Sequence, residues 1–221
     1  GNADVYKAEA TTETDNFTLA VKEPRQSGTV DNAVVEEVID EAETWQQLDD
    51  HDHIVSVIDY GKTPVPWIGM EYMDGGDLSH YVDEMEFEQK CWTAVAITKA
   101  VGNAHDRDIA HFDLTPQNIL FRSVDDGWDV PKVADWGLSK ELLKHSKSVE
   151  GLTPEYAAPE QVDPDGFGQT DKRTDVYQLG AVFYELFTGR TPFEGQTFEV
   201  IDQLKDSQPT PPSDVADDLP S

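Results

Sequence analysis

The stretch His111-Phe112-Asp113-Leu114-Thr115-Pro116-Gln117-Asn118 is followed seventeen residues later by Asp135-Trp136-Gly137. In the first motif a carboxylate stands five positions before an amide, and in the second a carboxylate stands just ahead of a glycine. Apolar residues flank both motifs, Ile119-Leu120-Phe121 after the first and Val133-Ala134 before the second. We therefore expect two short strands to carry both polar groups into one cleft. Oxygen ligands of this kind could hold a divalent cation on a nucleotide and orient a hydroxyl for phosphoryl transfer.

The ordered pair of motifs resembles the protein kinase family, whose catalytic loop reads HRDLxxxxN and whose metal site reads DFG. Three further segments match that family in the same order. Leu19-Ala20-Val21-Lys22 is similar to its VAIK strand, Thr153 to Glu160 is similar to TPEYxAPE, and Asp175 begins a helix that ends at Gly189. The resemblance covers nearly the whole chain.

This resemblance implies an α+β fold with two lobes. The N-terminal lobe, residues 1–73, would be a small antiparallel β-rich unit with one main helix. The C-terminal lobe, residues 74–221, would be larger and mostly helical, with the catalytic loop, the metal site and the activation segment. The resemblance also implies that the first strand of the family, and its last helices, fall outside this chain, and that other domains are attached to it.

The same resemblance implies roles for individual residues. Asp113 would accept or orient the proton of the substrate hydroxyl, and Asp113, Lys22 and Asn118 would form the catalytic set. Asn118 and Asp135 would hold Mg²⁺, a hard cation that prefers oxygen ligands. Lys22, held by Glu41, would neutralise charge on the α- and β-phosphates of ATP.

The position of Glu41 can also be judged from periodicity. Residues 31–48 follow a helical period, and the apolar residues of one stripe are Val34, Val38, Trp45 and Leu48. Glu41 falls in the middle of that stripe, where a carboxylate must find a partner or remain at an exposed edge. A solvated rim is the ordinary interpretation, but with the other motifs present we favour an ion pair with Lys22.

A nucleotide pocket follows from the resemblance as well. Gly1 to Ala8 resembles the second half of a glycine-rich loop, with Ala3 in place of the third glycine. Met70 would gate the pocket, the segment around Met73 would form the hinge, and Asp77 would meet the ribose or simply cap the helix starting at Leu78. The full set of predicted nucleotide-binding residues is Gly1, Ala3, Val5, Ala20, Lys22, Glu41, Met70, Glu71, Met73, Asp77 and Leu120.

Other elements are predicted from pattern alone. Residues 54–60 and 67–72 are expected to be strands, and residues 87–106 a helix with Trp92, Val95, Ala96 and Val101 facing inward. The helix begun by Asp175 is apolar on nearly every side and is expected to be buried, with Asp175 either its N-cap or a ligand of the catalytic loop's backbone. Residues 140–150, which include Ser146 and Ser148, are polar and typical of an activation segment.

Composition limits the function further. The chain of 221 residues carries 45 acidic and 16 basic side chains, a net charge of −29. Such a charge argues against binding to nucleic acid, and no apolar run is long enough for membrane insertion. Cys91 is the only cysteine, so a reducing cytoplasm fits best. Acid spread along the chain with few lysines is typical of a salt-accumulating cytoplasm, as in a halophilic archaeon, where salt screens self-repulsion.

Two departures from the family pattern leave alternatives open. Phe112 replaces the arginine that normally receives an activation-loop phosphate, and Thr115 replaces the lysine near the γ-phosphate. Pro116 follows the pattern of kinases that act on Ser and Thr of protein substrates. The main alternative is a pseudokinase, an ATP-binding or interaction module of the same fold. A small-molecule kinase is a third alternative, disfavoured by Ala158-Pro159-Glu160 and Asp175.

Overall fold

A computed structural model describes residues 3–11, 15–25, 31–82, 84–137 and 152–216. The N-terminal part is one antiparallel sheet of four strands in the order β1-β2-β4-β3. Its strands are β1 (Ala3–Thr11), β2 (Asn16–Pro24), β3 (Val57–Gly61) and β4 (Trp67–Glu71). In this register Val5 lies opposite Lys22, and Ala20 lies opposite Met70. Lys22 is therefore held on a strand that has neighbours on both sides.

The helix α1 (Asn32–Gln46) packs against β3 and β4. The Asp31 side chain caps its first turn by accepting a hydrogen bond from the Ala33 N–H at 3.2 Å. Trp45 is fully buried and donates from Nε1 to the Val55 carbonyl at 2.6 Å, which fixes the helix on the chain entering β3. The predicted apolar stripe is present, although its first two valines are only half-buried and the helix ends two residues before Leu48.

The C-terminal part is mostly helical. Its strands and helices are α2 (Phe87–Asp106), β5 (Ile119–Arg122), β6 (Val130–Val133), α3 (Pro159–Val162), α4 (Pro164–Phe167), α5 (Lys172–Thr188) and α6 (Thr197–Asp206). In the described ranges of this part, short 3₁₀ turns also occur at Leu78–His80, Pro116–Asn118 and Pro212–Asp214. The predicted α+β arrangement, a β-rich N-terminal part with one main helix and a mostly helical C-terminal part, is confirmed.

Two helix predictions need correction. α5 begins at Lys172, capped by Asp171, so Asp175 lies inside the first turns and is not the N-cap. It ends as predicted, because Gly189 adopts a left-handed conformation (φ 75°) that a glycine tolerates best. α5 is not buried all round, since Val176 is 61% exposed. α2 has the predicted bounds, but Val95 faces solvent rather than the core.

The hairpin of β5 and β6 connects the two parts of the molecule. The Val55 N–H donates to the Val133 carbonyl at 3.0 Å, and the Val133 N–H donates to the His53 carbonyl at 2.9 Å. The end of β6 is thus joined by backbone hydrogen bonds to the segment between α1 and β3. This hairpin carries both sequence motifs, the first just before β5 and the second just after β6, so the predicted arrangement of two short strands is confirmed.

No helix in the described part of the chain is both long and apolar enough to cross a membrane.

Candidate active site

His111 joins the two motifs. Its ring is fully buried and packs edge-on against Trp136, with ring centroids 4.8 Å apart. The Asp113 N–H donates to His111 Nδ1 at 3.2 Å, and His111 Nε2 lies 2.8 Å from the Ala134 carbonyl. An amide N–H can only donate and a carbonyl can only accept, so the proton of the neutral ring is on Nε2. The residue before Asp135 is thereby fixed relative to Asp113.

Asp175 organises the backbone of the catalytic loop. Its carboxylate is fully buried and accepts hydrogen bonds from the N–H groups of His111 and Phe112, at 2.8 and 2.7 Å. His105 Nε2 lies 2.7 Å from the same carboxylate. Phe112 adopts a φ of 64°, which is uncommon for a residue with a side chain, so this support offsets a local conformational cost. Of the two roles considered for Asp175, the backbone ligand is confirmed and the N-cap is wrong.

Asp113 is paired with Asn118. Asn118 Nδ2 donates to the Asp113 backbone carbonyl at 2.8 Å and to its carboxylate at 3.2 Å. Burial raises the pKa of Asp113 to about 6, an effect that Asp135 reinforces and that Asn118 and Lys22 oppose. A carboxylate with such a pKa can take up a proton near neutral pH, as a general base requires.

The predicted ion pair between Lys22 and Glu41 is present. Lys22 Nζ lies 2.6 Å from Glu41 Oε1 and also contacts Asp135 Oδ1. Burial by itself would lower the pKa of Lys22, but the two carboxylates outweigh it and raise that pKa above its ordinary value. Burial raises the pKa of Glu41, whereas for Asp135 the attraction of Lys22 exceeds the effect of burial and the pKa is lowered. The lysine is charged, and it is held between the N-terminal helix and the second motif.

The surroundings of Gly137 explain why the second motif ends in a glycine. A Cβ atom at this position would overlap the carboxylate of Glu41. The absence of a side chain at Gly137 therefore lets Glu41 reach Lys22. The clash would fall on the end of a flexible side chain, so an added methyl group would displace the Glu41 carboxylate rather than the backbone.

Both motifs face one cavity of about 520 Å³. It is lined by Asp113, Thr115, Gln117, Asn118, Asp135, Thr153, Glu155 and Tyr156. The predicted base and both predicted cation ligands thus share this space with residues of the segment 153–160, which resembles the family's peptide-binding platform TPEYxAPE. Asp135 is 43% exposed at its side chain, which leaves carboxylate surface open to the cavity despite the contact with Lys22.

The predicted nucleotide-binding residues are distributed around the sheet and the hairpin. Ala20 and Met70 are buried neighbours on β2 and β4. Leu120 forms a bridge with Asp77, whose side chain accepts a hydrogen bond from the Ser79 N–H at 3.0 Å. The N-cap interpretation of Asp77 is therefore confirmed, for a 3₁₀ turn rather than a long helix. Contact with a ribose stays a prediction.

The remaining members of that set differ in what they can offer a ligand. Ala3 and Val5 lie on β1, and Val5 is 59% exposed. Met73 is partly buried against the core. The carboxylate of Glu71 is engaged by Lys132 at 2.6 Å, and its N–H donates to the Ser56 carbonyl at 2.9 Å, so neither group is free for a nucleotide. Gly1 lies outside the described residues, as do Ser146 and Ser148.

Three polar residues were missed by sequence reasoning, of which Lys132 and Gln178 are buried and Gln161 is half-buried. Lys132 is 6% exposed and joins β6 to the end of β4 through Glu71. Gln161 Nε2 and Gln178 Nε2 both donate to the Phe112 carbonyl, at 2.8 and 3.1 Å. The available signal for Gln178 was its place three residues after Asp175, which puts both on one face of α5.

Both departures from the family motif are buried. Phe112 is 3% exposed and Thr115 is 4% exposed. The Thr115 carbonyl accepts a hydrogen bond from the Asn118 N–H at 3.1 Å, which closes the turn that carries the amide. Neither side chain supplies charge, so the described part of the cavity has three acidic residues and no basic one in its lining.

Comparison with known proteins agrees with this geometry. Residues 1–218 match the family model described as protein kinase domain. Serine/threonine-protein kinase PrkC of Bacillus subtilis (strain 168) is 34% identical over 203 residues, which are 88% of this chain and 30% of that protein. Serine/threonine-protein kinase Pkn1 of Myxococcus xanthus is 37% identical over 174 residues, 75% of this chain and 24% of that protein. The chain thus spans less than a third of these relatives, and it belongs to the protein kinase family.

Proposed function

We propose that this chain transfers the γ-phosphate of ATP to Ser or Thr hydroxyl groups of protein substrates. The observation that carries the proposal is that five polar side chains meet at one site. The Lys22–Glu41 pair contacts Asp135. Asp135 in turn lines the same cavity as Asp113 and Asn118. Such positioned charges and a base provide most of what phosphoryl transfer needs from a protein. The names of the relatives as serine/threonine-protein kinases support the choice of Ser and Thr.

In this proposal Asp113 accepts or orients the proton of the incoming hydroxyl. Asn118 holds the Asp113 backbone through Nδ2, which leaves its Oδ1 atom to act as a ligand. Lys22 is placed by Glu41 to neutralise charge on the α- and β-phosphates. Because all these side chains are fixed by hydrogen bonds before a substrate arrives, little reorganisation is required during the reaction.

The residues present fit Mg²⁺. Asp135 and Asn118 offer a carboxylate and an amide oxygen, and both line the cavity. The described residues contain no group of three or more His, Cys, Asp or Glu able to hold a metal alone. This suits Mg²⁺, which keeps several waters and is commonly shared between one or two protein ligands and substrate phosphates. When bound, the ion would offset the negative charge of the phosphates.

The wider assignments are proposals as well. We place the boundary between the lobes after residue 73, and we expect further domains in the full protein, as the length of its relatives suggests. The acidic composition suits a cytoplasm rich in salt, such as that of a halophilic archaeon.

The Asp113→Asn variant tests the enzymatic proposal. We expect phosphate transfer to a generic Ser/Thr protein to fall by at least about 100-fold, because general base catalysis contributes roughly that much. Affinity for Mg-ATP should change little, because Asp113 faces the hydroxyl rather than the phosphates. Transfer with labelled ATP and nucleotide binding should be measured in the same high-salt buffer. Equal transfer by the wild type and the variant would favour the pseudokinase alternative.

A further inference from the structure

Gln178 holds the backbone on both sides of Asp113. Its Oε1 atom accepts a hydrogen bond from the Leu114 N–H at 3.0 Å, and its Nε2 atom donates to the Phe112 carbonyl at 3.1 Å. These two groups belong to the residues immediately before and after the aspartate. One side-chain amide therefore brackets Asp113 and restricts its backbone torsions.

The orientation of this amide follows from its partners. The Leu114 N–H can only donate and the Phe112 carbonyl can only accept, so exchanging Oε1 and Nε2 of Gln178 would break both hydrogen bonds. Gln178 is 2% exposed, so water could not replace the lost partners without entering the core. The hydrogen bonds are therefore shielded from competition with solvent.

Gln161 extends this arrangement to the segment that resembles the peptide-binding platform. Its Oε1 atom accepts from the Ala158 N–H at 2.9 Å and from Gln178 Nε2 at 3.1 Å, and its Nε2 atom donates to the Phe112 carbonyl at 2.8 Å. Two glutamines from different helices thus converge on one carbonyl. They link α3 and α5 to the residue that precedes Asp113.

We propose that Gln178, supported by Gln161, is a positioning residue for Asp113 in the phosphate transfer proposed above. Phe112 cannot bind a phosphate, so no arginine at this site can tie the loop to a phosphorylated segment. The two glutamines hold the loop instead with neutral hydrogen bonds that do not require phosphorylation. Phe112 needs this support, because its φ of 64° is uncommon for a residue that is not glycine.

The test replaces Gln178 by Met, which has similar length and cannot make these hydrogen bonds. We expect kcat for transfer to fall by about tenfold or more, because a small misplacement of a catalytic group is costly. KM for Mg-ATP should stay within about twofold, since Lys22 and Asp135 are untouched. Exchange of the Leu114 amide hydrogen, followed by NMR, should become faster. The full chain is used throughout.

Three control variants separate positioning from general damage. Gln203→Met removes a half-buried glutamine of α6 whose Nε2 donates to the Glu194 carbonyl, and it should leave kcat unchanged. Leu179→Ala creates a core cavity beside Gln178 and measures the effect of destabilising α5 alone. In the Gln161→Met/Gln178→Met double variant the loss of kcat should be smaller than the product of the single losses, because both residues hold one carbonyl.

The outcomes are distinct. A kcat within twofold of wild type, or a loss equal to that of Leu179→Ala at the same folded fraction, would overturn the positioning role. A wild type that transfers phosphate to no protein would instead contradict the proposed function. In that event the exchange rate of the Leu114 amide still decides whether Gln178 holds the loop.

Discussion

Asp113 gains its chemical character from its surroundings rather than from its type. An exposed aspartate would be fully ionised far below neutral pH, whereas burial here raises the pKa to about 6. Asn118 limits that rise by donating to the carboxylate. An intermediate pKa suits a general base, because the carboxylate stays ionised at pH 7 and is still basic enough to accept a proton.

A pH profile should reveal this residue. The ionised form of Asp113 is the active one, and its pKa lies above the ordinary value of 3.8 at about 6. We therefore expect kcat/KM to fall roughly tenfold per pH unit below pH 6 and to level off above it. Activity measured from pH 5 to pH 8 at constant ionic strength provides the check. A profile that stays flat down to pH 5 would show that Asp113 does not control the rate.

Gly137 offers a second test at the scale of single residues. In Gly137→Ala the new methyl group would displace the Glu41 carboxylate from Lys22. Hydrogen bonds to charged groups contribute about 1.5–3 kcal/mol, so we expect kcat/KM for ATP to fall by roughly 10- to 100-fold. Steady-state kinetics at varied ATP would measure the loss.

The matched control is Gly180→Ala, because a Cβ atom at Gly180 has nothing within 4 Å. That change should leave activity intact and slightly stabilise α5, since alanine favours a helix. In a Glu41→Gln background Gly137→Ala should cost much less than in the wild type. If Gly137→Ala lowered kcat/KM as much in the Glu41→Gln background as in the wild type, the effect of Gly137 would not act through Glu41.

At the scale of elements, α5 acts as the support of the catalytic loop. Asp175 and Gln178 are one turn apart, and together they bind the backbone of His111, Phe112 and Leu114. The loop is thus fixed by α5 in addition to the hydrogen bonds that Asn118 and His111 make within it. The same helix reaches Tyr156, whose hydroxyl donates to Glu185, so α5 also supports the platform beside the cavity.

This support leads to a prediction for the activation segment. Ser146 and Ser148 lie outside the described residues, but the loop they would regulate already has its hydrogen-bond partners. We expect the Ser146→Ala/Ser148→Ala double variant to keep more than about half of its activity, because Phe112 cannot form the charge-assisted bonds that a phosphate requires. Initial rates of substrate phosphorylation would measure this. A large loss that Glu at either position restores would reveal another receptor for phosphate.

At the scale of the whole molecule, we expect net charge to have a large effect on the stability of the folded state. With a net charge of −29, the folded chain must hold many like charges close together. Salt screens this repulsion, since the Debye length falls to about 3 Å at 1 M ionic strength. Within the site this repulsion is reduced without salt, because Lys22 contacts the carboxylates of Glu41 and Asp135 and neutralises part of their charge.

We accordingly expect stability to depend on salt. The melting temperature should rise by several degrees or more as KCl increases from about 0.05 M to about 2 M, because screening favours the compact state. Thermal unfolding followed by circular dichroism would measure the trend, with sucrose as an uncharged control for general effects of cosolutes. A melting temperature that does not change with KCl would contradict the proposed adaptation to salt.

The sequence by itself determined the family, the class of fold and the main chemical groups. Asp113, Asn118 and Asp135 could be found because their spacing reflects a local unit, a loop and a hairpin, that is built within a few residues. α2 was predicted with its observed bounds because its pattern is long and uninterrupted. Lys22 and Glu41 could be paired because periodicity placed a carboxylate within an apolar stripe, and the other family motifs favoured Lys22 as its partner over a solvated rim.

Only the tertiary structure decided which distant groups complete the site. The start of α5 was misjudged because the Asp171 cap lies in a polar run that resembles a loop. Gln178 looks like any polar residue until the catalytic loop packs on α5 and presents an N–H and a carbonyl to it. Lys132 likewise forms its ion pair only when the fold brings β6 next to Glu71. Local patterns report what each segment prefers, whereas the partners of buried polar groups depend on which segments meet.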